Sequence, residues 1–355
     1  LTETSTSTGM GVPELVIPKR GLGNVLYDST SKTLKIGTKT FARSLNDITE
    51  IKKFTQLIFI LRILNDLQDL GAYETDRGIY YIGTKYQIPG TNSTMFIKSE
   101  NEEGGQKESD DIIIDTETFL GRFREELKII SSVKGHVVGQ VTITGHTKSK
   151  EHHIDCRKVG AEGMRLEGDI SRSKIIECKG KFVLVVEKDA VFKRLSEDEF
   201  FDTYNCVLVT ASGMPDRATR YFIRKLHEEY HIPILVLTDF DSWGHYIYGV
   251  YRTGSMNLAF ESPRLACPSA QFLGVSYQDV DKYGFTSDKT NEKDLKRAEE
   301  MLAYDWFKEP FWQDQLTQFI KREKKTVIDV MGAKGYKFLQ NTYLPDKLKS
   351  LGLIP

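Results

Sequence analysis

Apolar positions along the first third of the chain keep a helical beat. From Ser44 onward, Ile48, Ile51, Phe54, Leu57, Leu61 and Leu64 recur at steps of three and four, which predicts a helix with one buried face. Gly71 stands where that helix should stop. Thr75 then predicts the cap of a second helix beginning at Asp76, on which Arg77 and Tyr81, four apart, share a face. The polar run "SENEEGGQKESDD" (residues 99 to 111) reads as a loop. A third amphipathic helix is expected after it, with Phe119, Phe123 and Leu127 on one side, and "GHVVGQVTITG" closes the block with strand alternation. Ahead of all this, "GNVLYDSTSKTLKIG" (23 to 37) reads as a small hairpin, and the polar opening "LTETSTSTGMGVPELVIPKR" as a flexible arm. Three short helices followed by a strand is the outline of a winged helix, although many small α+β domains share it.

The second half has a different beat. "FVLVV" (182 to 186), "CVLVT" (206 to 210) and "IPILVLTD" (232 to 239) are short, nearly continuous β-branched runs, with a helical segment from roughly 215 to 230 between the last two. Strands apolar on both faces and separated by helices predict a parallel sheet covered on both sides. From about residue 292 the pattern is helical again, with Trp306, Phe307, Phe311 and Trp312 crowded into "DWFKEPFWQ".

Composition narrows this picture only a little. The chain has 355 residues, enough for two or three domains. No apolar run is long enough to cross a bilayer, so no membrane association is expected. Four scattered cysteines give neither a zinc spacing nor a disulfide framework, and an intracellular setting follows (nucleoid or cytoplasm in a prokaryote, nucleus in a eukaryote). The net charge of −1 argues weakly against nucleic acid, but acidic metal-binding clusters can cancel basic surface elsewhere. The phosphate-cradling GxxxxGK[ST] pattern is absent, so ATP hydrolysis by this chain is not expected.

Acids follow two of the core strands at once. "FVLVV" runs into Glu187 and "ILVLT" into Asp239, with Asp241 two residues on. The carboxyl ends of parallel strands line one edge of a sheet, where ligands bind. Three carboxylates gathered there repel one another unless a cation sits between them, and a hard, oxygen-preferring ion such as Mg²⁺ suits them. Gly213, in the turn after the second strand, lets backbone approach a ligand closely, and Arg217, Arg220 and Arg224 form a basic stripe at helical spacing. Such sites serve phosphatases, nucleases and primases as well. The acids fix the ion, not the reaction.

The pair Tyr80–Tyr81 gains meaning beside that site. Taken alone, it reads as one buried ring and one half-exposed ring. A phenol ionises near pH 10, so making the anion at pH 7 costs ~4 kcal/mol. A guanidinium on the same helical face recovers part of this and also holds phosphate. Tyrosine, arginine and an acidic Mg²⁺ site together make up the set needed to attack a phosphodiester and retain it as a phosphotyrosine.

The segments that carry this chemistry resemble one family closely. "ARSLNDITEIKKFTQLIFILRIL", "RGIYY", "KFVLVVEKDAVFKRL", "GMPDRATR", "LTDFDSWGHYIYGVYRTGS", "ESPRLACPSAQFLGV" and "GYKFLQNTYLPDKL" are similar, through nearly the whole chain, to the A subunits of DNA topoisomerase VI. These are type IIB enzymes, related to the transesterase that makes meiotic double-strand breaks. The resemblance implies an α/β multidomain protein: an N-terminal arm and hairpin (1–44), a winged-helix (CAP-like) domain (45–150), and a Toprim domain with a helical extension (151–355). It implies Tyr81 as the nucleophile beside Arg77, with Mg²⁺ held by Glu187, Asp239 and Asp241. It also implies double-stranded DNA as substrate, a homodimer of A subunits, and an ATPase on a separate B subunit in an A₂B₂ assembly. The alternatives are a recombination-type break maker without strand passage, a Toprim nuclease or primase, and a non-catalytic DNA scaffold. Two places depart from the family's wording. "DFDSW" stands for the commoner "DADPY", and Gly78 stands where an acid usually follows the arginine.

Overall fold

The computed structural model describes residues 13–98, 102–130, 133–146, 150–169, 172 and 174–355. The first twelve residues of the expected arm lie outside these. The end of that stretch is a strand rather than an arm: Glu14–Pro18 pairs antiparallel with Thr40–Ser44, burying Leu15 and Ile17. The intervening hairpin forms as expected, Val25–Asp28 against Thr33–Ile36, with Asp28 Oδ1 accepting the Thr30 N–H at 2.8 Å.

Two compact units are present. The first is built mainly on residues 35–132, with the segment ending at Leu26 and Met256–Glu261. Its long helix is Ile51–Leu70, so Ser44 belongs to a strand and Ile48, at 88% exposure, is no part of the buried face. Phe54, Leu57, Ile60 and Leu64 form that face and meet Ile79, Phe96, Ile112 and Ile129 in one core. Burying each such side chain contributes about 1.5–3 kcal/mol. Gly71 ends the helix at φ 59°, while the Ala72 N–H reaches back to the Leu67 carbonyl at 3.0 Å, the Schellman closure that a left-handed glycine permits.

The polar run expected as a loop is largely helix. Residues Glu102–Leu120 are α-helical, and the chain turns where the third helix was expected to carry Phe123 and Leu127. Its polarity conceals a buried face: Ile112, Ile113, Asp115 and Thr116 are all enclosed. Asp115 is ion-paired to Arg43 at 2.5 Å and Arg20 at 2.8 Å, which ties this helix to the Glu14–Ser44 strand pair. Buried charges persist only when partnered in this way.

The second unit comprises residues 27–34, 133–255 and 262–355. Its six-stranded sheet runs in the order Met164–Arg165, His136–Gly139, Val207–Thr210, Val183–Val186, Ile234–Leu237, Gln271–Gly274. The last four strands are mutually parallel, and the three expected from the β-branched runs lie at the centre, buried on both faces. Helices Asp189–Glu197, Arg217–Tyr230 and Ser242–Arg252 alternate with them in the chain. His136–Gly139 pairs antiparallel with Val207–Thr210, so it belongs to this sheet and not to the helices before it. The boundary between the units accordingly falls after residue 132, earlier than 150. Val141–His146 sits in a separate three-stranded sheet between Ile175–Cys178 and Glu151–Asp155. Among the described residues, no helix is long and apolar enough to cross a membrane.

Candidate active site

Thr75 caps the tyrosine helix, Asp76–Lys85, its Oγ1 accepting the Gly78 N–H at 2.9 Å. From that start, the 3.6-residue repeat separates the two tyrosines. Tyr80 is 3% exposed, and its hydroxyl donates to the Ile97 carbonyl at 3.4 Å. A Cβ at Gly105 would lie 2.7 Å from that hydroxyl, so the glycine in the neighbouring helix makes room for this ring. Tyr81 is 41% exposed, and Arg77 Nη2 donates to its hydroxyl at 3.2 Å.

Asp76 anchors the same helix. Its Oδ1 accepts the Arg77 N–H at 2.9 Å, and Oδ2 lies 3.3 Å from Arg124 Nη1. Arg124 is in turn paired with the fully buried Glu117 at 2.5 Å. At Gly78 a Cβ would stand 2.0 Å from Glu74 Oε1, so Glu74 fills the volume a side chain there would take. That carboxylate accepts the Thr75 N–H at 2.7 Å and places negative charge at the helix N-terminus, where the dipole favours it.

Asp110 lies within electrostatic reach of this network. Burial, and then the charge of Asp76, push its carboxyl up from 3.8 to about 6. A carboxyl raised on folding binds its proton more tightly in the folded state. Stability therefore falls as pH rises from about 4 through about 6, and the cost persists above that. Asp110→Asn is expected to stabilise the protein at pH 7.5 by on the order of 1 kcal/mol after allowance for solvent screening. The melting temperature should rise by about 2–4 °C at pH 7.5 and stay unchanged at pH 4. Equal melting curves at both pH values would remove the charge strain assigned to Asp110.

In the second unit the acids stand at the strand ends. Glu187 follows Val183–Val186 directly, and its Oε2 accepts the Asp239 N–H at 2.9 Å. Asp239, 4% exposed, takes the Ile328 N–H on Oδ1 at 2.8 Å and the Lys188 ammonium on Oδ2 at 3.1 Å. Asp241 caps the helix Ser242–Arg252 through the Gly244 N–H at 2.7 Å. A Cβ at Gly244 would lie 2.1 Å from the Asp239 carbonyl, so only glycine lets this helix start so close to the strand end. Gly213, at φ 103°, donates its N–H to the Glu187 carbonyl at 2.9 Å.

Burial pushes the Glu187 carboxyl up to about 7, and the charges of Asp239 and Asp241 add to this. Asp239 and Asp241 are raised as well, burial again being the main cause. Among the described residues, no three His, Cys, Asp or Glu side chains are already drawn together tightly enough to hold a metal ion. The donor set nonetheless fits an oxygen-seeking divalent cation: buried carboxylates that resist ionisation are those a cation would relieve. The arginines expected as a basic stripe do not form an exposed one. Arg217 and Arg220 are buried, and Arg224 is engaged by Glu228 and the Ala266 carbonyl, each at 2.5 Å. Lys188, which touches Asp239, and Asp329, which touches Lys188, carried no sequence signal beyond the position of Lys188 next to Glu187.

Comparison with known proteins assigns each half. Residues 52–129 match the family described as "Type IIB DNA topoisomerase", and residues 182–348 match the Toprim domain described for the A subunit of topoisomerase 6 and for Spo11. The A subunit of the "Type 2 DNA topoisomerase 6" of Sulfurisphaera tokodaii is 40% identical over 95% of this chain and 89% of its own length. The chain belongs to the family of DNA topoisomerase 6 A subunits. Other members include the A subunit of the Pyrococcus abyssi "Type 2 DNA topoisomerase 6", 34% identical over 97% of this chain and 90% of its own. The A subunit of the Arabidopsis thaliana "DNA topoisomerase 6" is 32% identical over 94% and 74%. This protein is therefore the DNA-cleaving part of a type IIB topoisomerase, with a Toprim domain. In this topoisomerase chain, Tyr81 lies in the first matched region, and Glu187, Asp239 and Asp241 lie in the second.

Proposed function

We propose that this topoisomerase chain cuts both strands of a DNA duplex with Tyr81 as nucleophile and reseals them after another duplex has passed. The observation carrying the assignment of the nucleophile is the contrast between the tyrosines: Tyr81 presents its hydroxyl to solvent beside Arg77, while that of Tyr80 is spent on Ile97. Tyr81 Oη bonds to phosphorus and gives up its proton, and the 3′-oxygen leaves as a hydroxyl. The phosphate stays on the tyrosine as a 5′-phosphotyrosyl link, and the reverse attack by the 3′-hydroxyl restores the strand. The link conserves the phosphodiester, so resealing needs no nucleotide. Arg77 places a fixed positive charge where negative charge grows on the phenolic oxygen and the phosphate.

Glu187, Asp239 and Asp241 are the residues that would hold Mg²⁺. A divalent ion held there would supply positive charge for the phosphate. Glu187 and Asp239 are kept in place through the Asp239 N–H, and Asp241 by its helix cap. We read the helical block within residues 45–150 as a winged helix, two copies of this chain as a dimer, and the ATPase as a separate B subunit in an A₂B₂ assembly. The four cysteines are free thiols, which supports an intracellular setting.

Incubation with supercoiled DNA, Mg²⁺ and the ATPase partner, followed by denaturation, should leave protein joined to 5′ ends, with ATP-driven relaxation before denaturation. Links without relaxation would indicate a break maker without strand passage. Free ends would indicate a nuclease, and uncut DNA a scaffold.

A further inference from the structure

We propose that Lys188 is a built-in counter-cation of the acid site, and that Asp329 is the residue that draws it aside when a divalent ion is taken up. The inference rests on the reading of Glu187, Asp239 and Asp241 as metal-holding residues. Its ground is a set of contacts from three parts of the second unit. Lys188 leaves the end of a central strand and sets its ammonium 3.1 Å from Asp239 Oδ2 and 2.5 Å from Asp329 Oδ2. Asp329 lies on the helical turn Ile328–Lys334, whose first N–H bonds the other oxygen of Asp239. Just before that turn, Thr326 and Phe240 exchange backbone hydrogen bonds at 2.9 and 3.0 Å. The segment 326–329 thus straps the strand end from Asp239 to Phe240 and brings a fourth carboxylate beside the lysine.

An ammonium on Asp239 and a divalent ion on the same carboxylate compete for it and repel one another. The lysine needs somewhere else to go. Asp239 is enclosed, whereas the Asp329 side chain that touches the same ammonium is 47% exposed, so it is the less costly resting place. A purely structural salt bridge would predict that losing Lys188 loosens the strap and weakens the site. A counter-cation predicts the opposite sign.

Calorimetric titration of Mg²⁺ and Mn²⁺ into the full chain separates these. Lys188→Met should bind about tenfold tighter than wild type. Lys188→Arg, which keeps the charge, should stay close to wild type. Asp329→Asn leaves the lysine to Asp239 alone and should weaken binding ~3- to 10-fold. In the Lys188→Met background, Asp329→Asn should then have no effect. Melting temperatures give a second readout: Lys188→Met should gain more from added Mg²⁺ than wild type does. If Glu187→Ala and Asp239→Asn lower the affinity but Lys188→Met fails to raise it, the counter-cation is refuted while the metal site stands. If neither acid substitution matters, or if no variant binds either ion, the metal reading falls and this inference with it.

Discussion

Tyr81→Phe is expected to eliminate the covalent protein–DNA adduct, with a loss of roughly a millionfold, as deletion of a nucleophile costs in other enzymes. Duplex affinity should change by less than ~10-fold, the most that one missing hydrogen bond accounts for. Tyr80→Phe should behave differently. Its ring fills the core beneath Gly105 and the hydroxyl makes a long bond to Ile97, so its removal costs about 1 kcal/mol of stability and leaves the adduct in place. The measurement is denaturing electrophoresis of end-labelled DNA after cleavage, beside a filter-binding isotherm for each variant. An adduct retained by Tyr81→Phe and lost in Tyr80→Phe would reverse the assignment.

Mixed dimers should give the second large effect. Cutting both strands requires two nucleophiles related by the two-fold symmetry of the duplex, which a closed homodimer supplies. Tyr81 and the acids belong to different compact units of the chain, and we propose that one protomer's tyrosine serves with its partner's acids. A Tyr81→Phe protomer paired with an Asp239→Ala protomer then retains one intact site and one doubly broken site. Such heterodimers should nick a single strand, whereas either homodimer should leave the duplex whole. Purified heterodimers that bind DNA and never nick it would exclude a site shared between protomers.

Much of the scaffold was legible because its signals are local. The Thr75 cap, the Gly71 stop and the three β-branched strands each rest on a few adjacent residues with strong intrinsic preferences, and each stands where the sequence placed it. The strand pair Glu14–Pro18 with Thr40–Ser44 was missed because each strand has only five residues and its partner lies far along the chain. The helix Glu102–Leu120 was missed for another reason. Its inner face is partly polar, held by Asp115 and Glu117 in ion pairs with arginines from other segments, so hydrophobic periodicity is faint there. The candidate site divides in the same way. Tyr81, Arg77, Glu187, Asp239 and Asp241 occupy positions that a helix face or a strand end makes visible. Arg124, Lys188 and Asp329 act through contacts across long sequence separations, and only the folded chain brings them into view.

The strap has a consequence for the birth of the protein. Asp239 takes one of its hydrogen bonds from Ile328, a residue synthesised 89 positions later. Chains emerge from the ribosome amino end first, and their early parts begin to fold while the rest is still being made. The unit that carries Tyr81 draws on the chain only as far as Glu261, so it can be complete while Asp239 still lacks the segment that bonds it. A growing chain that met DNA at that stage would carry a tyrosine without its finished acid site. On the proposed reading of Asp239, the acid site is therefore finished only when almost the whole polypeptide has been translated.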